Sequence, residues 1–205
     1  MPKPIKIEYL KYLLILTYCC QTTGYLCKTT IKNENRPVRT KKSKKMNKAL
    51  VIIDIQNDIT KNYKEIIDNI NKAIDWAVSN DIHVVYIRHE NLSAGTRTFK
   101  PNTRGAELAP DLKIVSDNVF TKYKGNALTS EEFADFVSKN GIDEFFITGA
   151  DAIACVKSTC FNMAKANYKV TVLSDCVTSY DKKKIPEMIK YYESKGCKIA
   201  CLNDL

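Results

Sequence analysis

Three residue types that together make a nucleophile system stand at comparable places in this chain. Asp54 closes the apolar run Ala49-Leu-Val-Ile-Ile53, Lys122 closes Asn118-Val-Phe-Thr121, and Cys155 stands in the turn that opens a helical stretch. A thiol at the start of a helix is drawn towards thiolate by the helix dipole and by a neighbouring ammonium. A carboxylate beside it can take the thiol proton and later return it to a leaving group. Spacing by itself leaves a second reading open, in which Asp and Lys end strands only for solubility.

Other residues with chemistry to offer lie close by in the sequence. His89 follows the strand-like Ile82–Arg88 and either lines a pocket or caps the surface. Gln56 and Asn57 either orient Asp54 or cap the helix that follows, and Gln56 is also a pocket candidate. Tyr123, next to Lys122, is a further pocket candidate, and Lys124 is the competing lysine. His83, inside an apolar strand, reads as structural. Arg97 and Arg104 lie in Glu90–Ser116, a stretch with little periodicity and of a length that loops reach when they bind something or are poorly ordered. Their charges either meet an anionic substrate or are simply solvated.

The elements that must position these residues alternate. Ala49–Ile53 is a continuous apolar run, the mark of a strand buried on both faces. Ile66, Ile67, Ile70, Ile74, Ala77 and Val78 recur at helical spacing. Ile82–Ile87 reads as a strand and Val115–Thr121 as a short one. Thr129-Ser-Glu-Glu132 is a capping box ahead of the stripe Phe133, Phe136, Val137. Asp143–Thr148 is a strand, 155–166 a helix, Lys169–Leu173 a strand, Ile185–Tyr192 a helix with Pro186 in its first turn, and Cys197–Leu202 a final strand. Strands alternating with helices predict a three-layer αβα sandwich around a mostly parallel, doubly wound sheet. In such sheets ligands sit beyond the carboxyl ends of the strands, where Asp54, Lys122 and Cys155 lie.

Composition narrows the function classes. The chain has 205 residues, 44% of them apolar and 27% charged, enough for a packed core and against wholesale disorder. No apolar run approaches the roughly 20 residues of a membrane-spanning helix. The net charge of +9 sits entirely in residues 1–45, where eleven Lys/Arg meet only Glu8 and Glu34; residues 46–205 balance 21 basic against 21 acidic side chains. The basic character therefore gives no reason to expect a nucleic-acid or membrane partner for the folded part. Residues 1–45, with Leu13–Cys20 as their apolar stretch, read as an extension ahead of Met46 or as a targeting segment, outside the fold in either case. The cysteines form no C-x-x-C pair and no zinc-finger spacing, which predicts reduced thiols and a cytoplasmic protein, unless residues 1–45 direct it elsewhere. No Gly-rich loop follows a strand, which argues against a nucleotide or flavin protein.

Three segments carry a resemblance. Ala49-Leu-Val-Ile-Ile-Asp54-Ile-Gln-Asn-Asp58 resembles the opening motif of the isochorismatase-like cysteine hydrolases, the superfamily that includes nicotinamidases. Asn118-Val-Phe-Thr-Lys122 resembles its lysine strand. Gly149-Ala-Asp-Ala-Ile-Ala-Cys155-Val-Lys-Ser-Thr159, continuing through Asn167–Asp175, resembles its nucleophile segment. The resemblance covers nearly all of 47–205. It implies a catalytic triad of Asp54, Lys122 and Cys155, a cis peptide between Ala150 and Asp151, and an oxyanion site made by the backbone N–H groups of Asp151 and Cys155. It implies acyl transfer on a small amide-type substrate through a Cys155 thioester, no cofactor, and a homo-oligomer.

The departures are as specific. Ala152 and Ile153 stand where the family often has Thr-Asp, Asp151 where a smaller residue is usual, and Asn126-Ala-Leu128 where an aromatic residue is common. Nicotinamidases carry an Asp/His metal cluster after the first helix; here 46–205 holds only His83 and His89. The expectation is a metal-free enzyme that is not a nicotinamidase. Cys155 favours C–N hydrolysis, since members that cleave the isochorismate vinyl ether tend to lack the cysteine. The alternative is a catalytically silent binding or oligomerisation module.

Overall fold

The computed structural model describes residues 47–205, so the expectation for residues 1–45 lies outside the described residues. Among the described residues six strands build one sheet: β1 (Lys48–Ile53), β2 (His83–His89), β3 (Val119–Lys122), β4 (Glu144–Gly149), β5 (Lys169–Val177) and β6 (Lys198–Ala200). Their order is β3-β2-β1-β4-β5-β6, and every pairing is parallel. The order reverses between β1 and β4, which makes their carboxyl ends the switch point of a doubly wound sheet.

Helices cover both faces. Between β1 and β2 run α1 (Asn57–Tyr63), a short 3₁₀ turn and α2 (Ile67–Ser79). Ile67, Ile70, Ala73, Ile74 and Ala77 of α2 pack on Leu50, Ile52, Val84 and Tyr86. The opposite face carries α3 (Glu131–Asn140), α4 (Cys155–Lys165) and α5 (Ile185–Ser194), whose Phe133, Val137, Val156, Cys160, Met188 and Tyr192 pack on Val51, Ile53, Val85 and Ile147. Ala49–Ile53 is fully buried, as a central strand covered on both faces must be. The fold is the three-layer αβα sandwich that the alternation predicts.

Several boundaries differ from the periodicity. Helix begins at Asn57, nine residues before the Ile66 stripe, because α1 and the 3₁₀ turn precede α2. The third strand starts at Val119: ahead of it Val115 N–H bonds the Tyr86 hydroxyl and the side chains of Ser116 and Asn118 bond Val84 O, and the backbone pairing with β2 opens only where Asn118 O takes Tyr86 N–H. The expected capping box is not formed: Ser130 at the N-cap makes no side-chain cap bond, and the Thr129 hydroxyl donates to Asn126 O. Asn126 caps the preceding 3₁₀ turn by accepting from Leu128 N–H.

Glycine is required where β4 leaves the sheet. Gly149 has φ +110°, and a Cβ there would lie 2.1 Å from Ile53 O. That absence of a side chain brings the ends of β1 and β4 together, with Ala150 N–H donating to Ile53 O at 2.9 Å.

Candidate active site

The register of the sheet decides which side chains meet. His89 and Lys122 are Cα partners at the ends of β2 and β3, and Gly149 pairs with Ile53 at the ends of β4 and β1. Asp54 is the next residue of the β1 segment, held by its N–H to Ile87 O at 2.9 Å. It adopts φ 55°, a left-handed conformation that Asp tolerates better than most residues. Lys122 stands two strands away, roughly 9–10 Å at normal strand spacing, so only a long side chain can bridge to it.

It does bridge. Lys122 Nζ lies 2.8 Å from Asp54 Oδ2, 3.3 Å from Cys155 Sγ and 3.2 Å from His89 Nδ1. Three ammonium hydrogens meet three acceptors, which accounts for every donor of the group. Since an ammonium only donates, His89 Nδ1 must accept, and the ring proton sits on Nε2. Burial, then the Lys122 charge, hold His89 below the ordinary histidine range, in keeping with a neutral ring. The Lys122 and Asp54 side chains are 0% and 2% exposed. Among the described residues, Asp54 Oδ1 is buried with no hydrogen-bond partner within normal hydrogen-bonding distance.

Cys155 opens α4, as the sequence suggests, but the expected drift towards thiolate is reversed. Burial and the Asp54 carboxylate outweigh Lys122 and push the thiol from its usual 9.0 up to about 12. The resting residue is a thiol.

The turn between β4 and α4 is pinned at almost every backbone group. The Ala150–Asp151 peptide is cis. Ala150 N–H donates to Ile53 O, Ala152 N–H to Thr178 O, and the N–H groups of Ala154 and Val156 to Asp151 O. Ile153 N–H donates to Asp151 Oδ1 at 3.0 Å, and the buried Tyr192 hydroxyl donates to Ala152 O. Among the described residues this leaves the N–H groups of Asp151 and Cys155 without an acceptor.

Other candidates go elsewhere. Gln56 neither orients Asp54 nor caps α1: fully buried, it donates from Nε2 to His89 O (2.9 Å) and Ala106 O (2.8 Å) and accepts from His89 N–H (2.8 Å). It is a clasp between β2 and the long loop, not a pocket residue. Tyr123 is 56% exposed and lines a surface hollow of about 410 Å³ with Thr121, Thr129, Ser130, Glu131 and Glu132. Lys124, Arg97 and Arg104 are exposed. His83 packs edge-on against Phe136. Sequence reasoning passed over Tyr63 and Tyr192, whose hydroxyls serve Asp151 and Ala152; the available signal was a tyrosine on a buried helix face, whose hydroxyl needs a partner.

The isochorismatase domain profile matches residues 48–204. The chain belongs to the isochorismatase family. It is 26% identical over 143 residues to the uncharacterized isochorismatase family protein YddQ of Bacillus subtilis, covering 65% of this chain and 79% of that one. It is 25% identical over 159 residues to a probable inactive nicotinamidase of Arabidopsis thaliana, covering 65% and 81%. Among solved structures, it resembles pyrazinamidase of Pyrococcus horikoshii in complex with zinc (TM-score 0.69, 21% identity, 76% of this chain and 99% of that one). N-carbamoylsarcosine amidase of Thermoplasma acidophilum fits equally well (TM-score 0.69, 20% identity, 78% and 99%). These two structural likenesses speak for the isochorismatase-family fold.

A metal has to be tested against the donors present. Among the described residues, Asp54, His89 and Cys155 are the one group whose ligand-type atoms lie within 4.8 Å of one another. Lys122 Nζ already hydrogen-bonds all three residues. A cation is thus built into the chain at that point, and the set does not fit a metal ion.

Proposed function

We propose that this isochorismatase-family protein is a metal-independent cysteine amidohydrolase that cleaves a C–N bond of a small amide or related substrate. The observation that carries the reading is the buried Lys122 ammonium, hydrogen-bonded at once to Asp54 and Cys155. Asp54 Oδ1, buried and with no hydrogen-bond partner among the described residues, is the acceptor for the thiol proton. Because the thiol holds its proton at rest, proton removal accompanies attack. Cys155 Sγ bonds the carbonyl carbon as the proton passes to Asp54, and the carbonyl π pair becomes an oxyanion. The N–H groups of Asp151 and Cys155 receive it. When the C=O bond re-forms, the C–N bond breaks and the departing amine takes the proton from Asp54. A water, deprotonated by Asp54, then attacks the thioester; its collapse releases a carboxylic acid and returns the proton to sulfur. Lys122 keeps the Asp54 carboxylate and the sulfur in register throughout, and no step calls for a metal.

A screen of ammonia release over small amides and ureides tests this, with Cys155→Ala as the blank. Release that vanishes in Cys155→Ala and survives a chelator is the expected result. Activity lost to the chelator and restored by zinc or manganese would overturn metal independence. Release from no substrate would favour a second reading, a silent binding or oligomerisation module. That reading draws on the relative named as probably inactive and on the unusual Asp151-Ala-Ile153 segment.

A further inference from the structure

Among the described residues, Asp151 accepts five hydrogen bonds and donates none. Its carbonyl takes the N–H groups of Ala154 (3.0 Å) and Val156 (3.1 Å). Its carboxylate takes Ile153 N–H on Oδ1 (3.0 Å), and both the Tyr63 hydroxyl (2.8 Å) and Tyr180 N–H (3.0 Å) on Oδ2. The three carboxylate donors come from three separate segments: the turn itself, the end of α1, and the loop after β5. A small residue at this position would offer none of them an acceptor.

We propose that the Asp151 carboxylate, with Tyr63, pins the turn between β4 and α4 so that the N–H groups of Asp151 and Cys155 converge on one oxygen, which makes both side chains positioning residues for oxyanion stabilisation. The inference rests on reading those two N–H groups as the oxyanion donors. The carboxylate also occupies Ile153 N–H, so that this neighbouring donor is held away from competing for the same oxygen. Burial and then Asp151 push the Tyr63 hydroxyl above the ordinary tyrosine range, which keeps it a donor at any working pH. The departure at position 151 is then compensated by hydrogen bonds that a smaller residue does not need, and it does not by itself silence the site.

The test separates the oxyanion site from the thiol and needs no known substrate. Benzaldehyde is the probe: Sγ adds to its carbonyl carbon, the thiol proton passes to Asp54, and the π pair moves to the oxygen, giving a hemithioacetal whose oxygen reports on the two N–H groups. Iodoacetamide is the control, since alkylation of Cys155 uses no oxyanion site. In the full-length protein, Asp151→Ala should weaken benzaldehyde binding by about 10²-fold, the scale of a misplaced catalytic contact, and Tyr63→Phe by roughly tenfold. Both should leave the alkylation rate within about twofold. Aldehyde affinity unchanged in either folded variant would overturn the proposal, as would an alkylation rate that falls in proportion to it. If Asp151→Ala does not fold, Tyr63→Phe, which removes one hydroxyl and no other bulk, carries the test. Aldehyde binding that falls as expected supports the pin whether or not any amide is hydrolysed, so a failed ammonia screen counts only against the hydrolase reading.

Discussion

A lysine head group wholly withdrawn from water is tolerated here because each of its three hydrogens has an acceptor. The same withdrawal makes the pair with Asp54 fragile to single changes. Lys122→Met should leave an uncompensated buried carboxylate and destabilise the protein by about 3–5 kcal/mol. The double variant Asp54→Asn/Lys122→Met should recover most of that loss, since Asn tolerates the left-handed φ of 55° and carries no charge. Denaturant unfolding of the wild type, two single variants and the double variant checks this; a Lys122→Met protein as stable as the wild type would show the pair to be well hydrated. The thiol offers a pH test. Cys155 is raised from 9.0 to about 12, so the folded state holds that proton more tightly than the unfolded chain. Its contribution to stability is complete below pH 9 and is lost as pH climbs through 12. Alkylation by iodoacetamide should accordingly be slow at neutral pH and rise above pH 9. Asp54→Asn should bring that rise to lower pH by removing the carboxylate that opposes the thiolate. A rate that plateaus near neutrality would contradict the assignment.

Loops deliver as much of the site as strands do. The segment after β2 has few apolar side chains in the core, chiefly Ala106, Ala109 and Leu112, yet it is anchored beside the site. Gln56 holds it by an amide that serves Ala106 and both backbone groups of His89, while Asn57 N–H reaches Glu107 O and Ala109 N–H reaches Ile55 O. His89 in turn accepts from Lys122, so the clasp on the loop also steadies the ammonium. Gln56→Ala should cost about 1–3 kcal/mol for each buried group left unpaired. Amide exchange of residues 104–109 should speed up well before that of β1 and β4. Exchange that rises equally throughout would mean that the clasp belongs to the global core. The turn between β4 and α4 follows the same logic at shorter range, with Gly149 permitting the approach and hydrogen bonds with Tyr192 of α5 and with Thr178, just past β5, holding it.

Across the whole molecule, the net charge and the matched domain occupy different stretches of the sequence. The nine net positive charges belong to residues 1–45, while the isochorismatase domain spans 48–204. Within the described residues β1 has β2 and β4 on its two edges and apolar clusters on both faces, so the central strand is complete from Lys48 onward. We propose that residues 1–45 add nothing to the stability of this domain. A chain starting at Met46 should melt at the same temperature as the full chain and retain whatever activity the ammonia screen finds. A melting point lower by several degrees would assign part of 1–45 to the fold.

The alternation of buried strands and amphipathic helices is legible in the sequence because both periods are local. Ala49–Ile53 has nowhere to go but a central strand, and the α2 stripe must face it. The residue types at the strand ends are legible for the same reason. The state of Cys155 is not, because the helix start and the lysine both argue for thiolate, whereas burial and the carboxylate prevail only once the chain has closed over the site. Gln56 reads as a helix cap or a partner of Asp54 until the loop some fifty residues later returns to take its amide. Asp151 looks like a misfit until Tyr63 and Tyr180, 88 and 29 residues away in sequence, supply its donors. Desolvation and the pairing of polar groups depend on which distant segments arrive together. Only the tertiary structure decides that, and here it separates a triad of residue types from a site with a protonated thiol and two N–H groups that find no acceptor among the described residues.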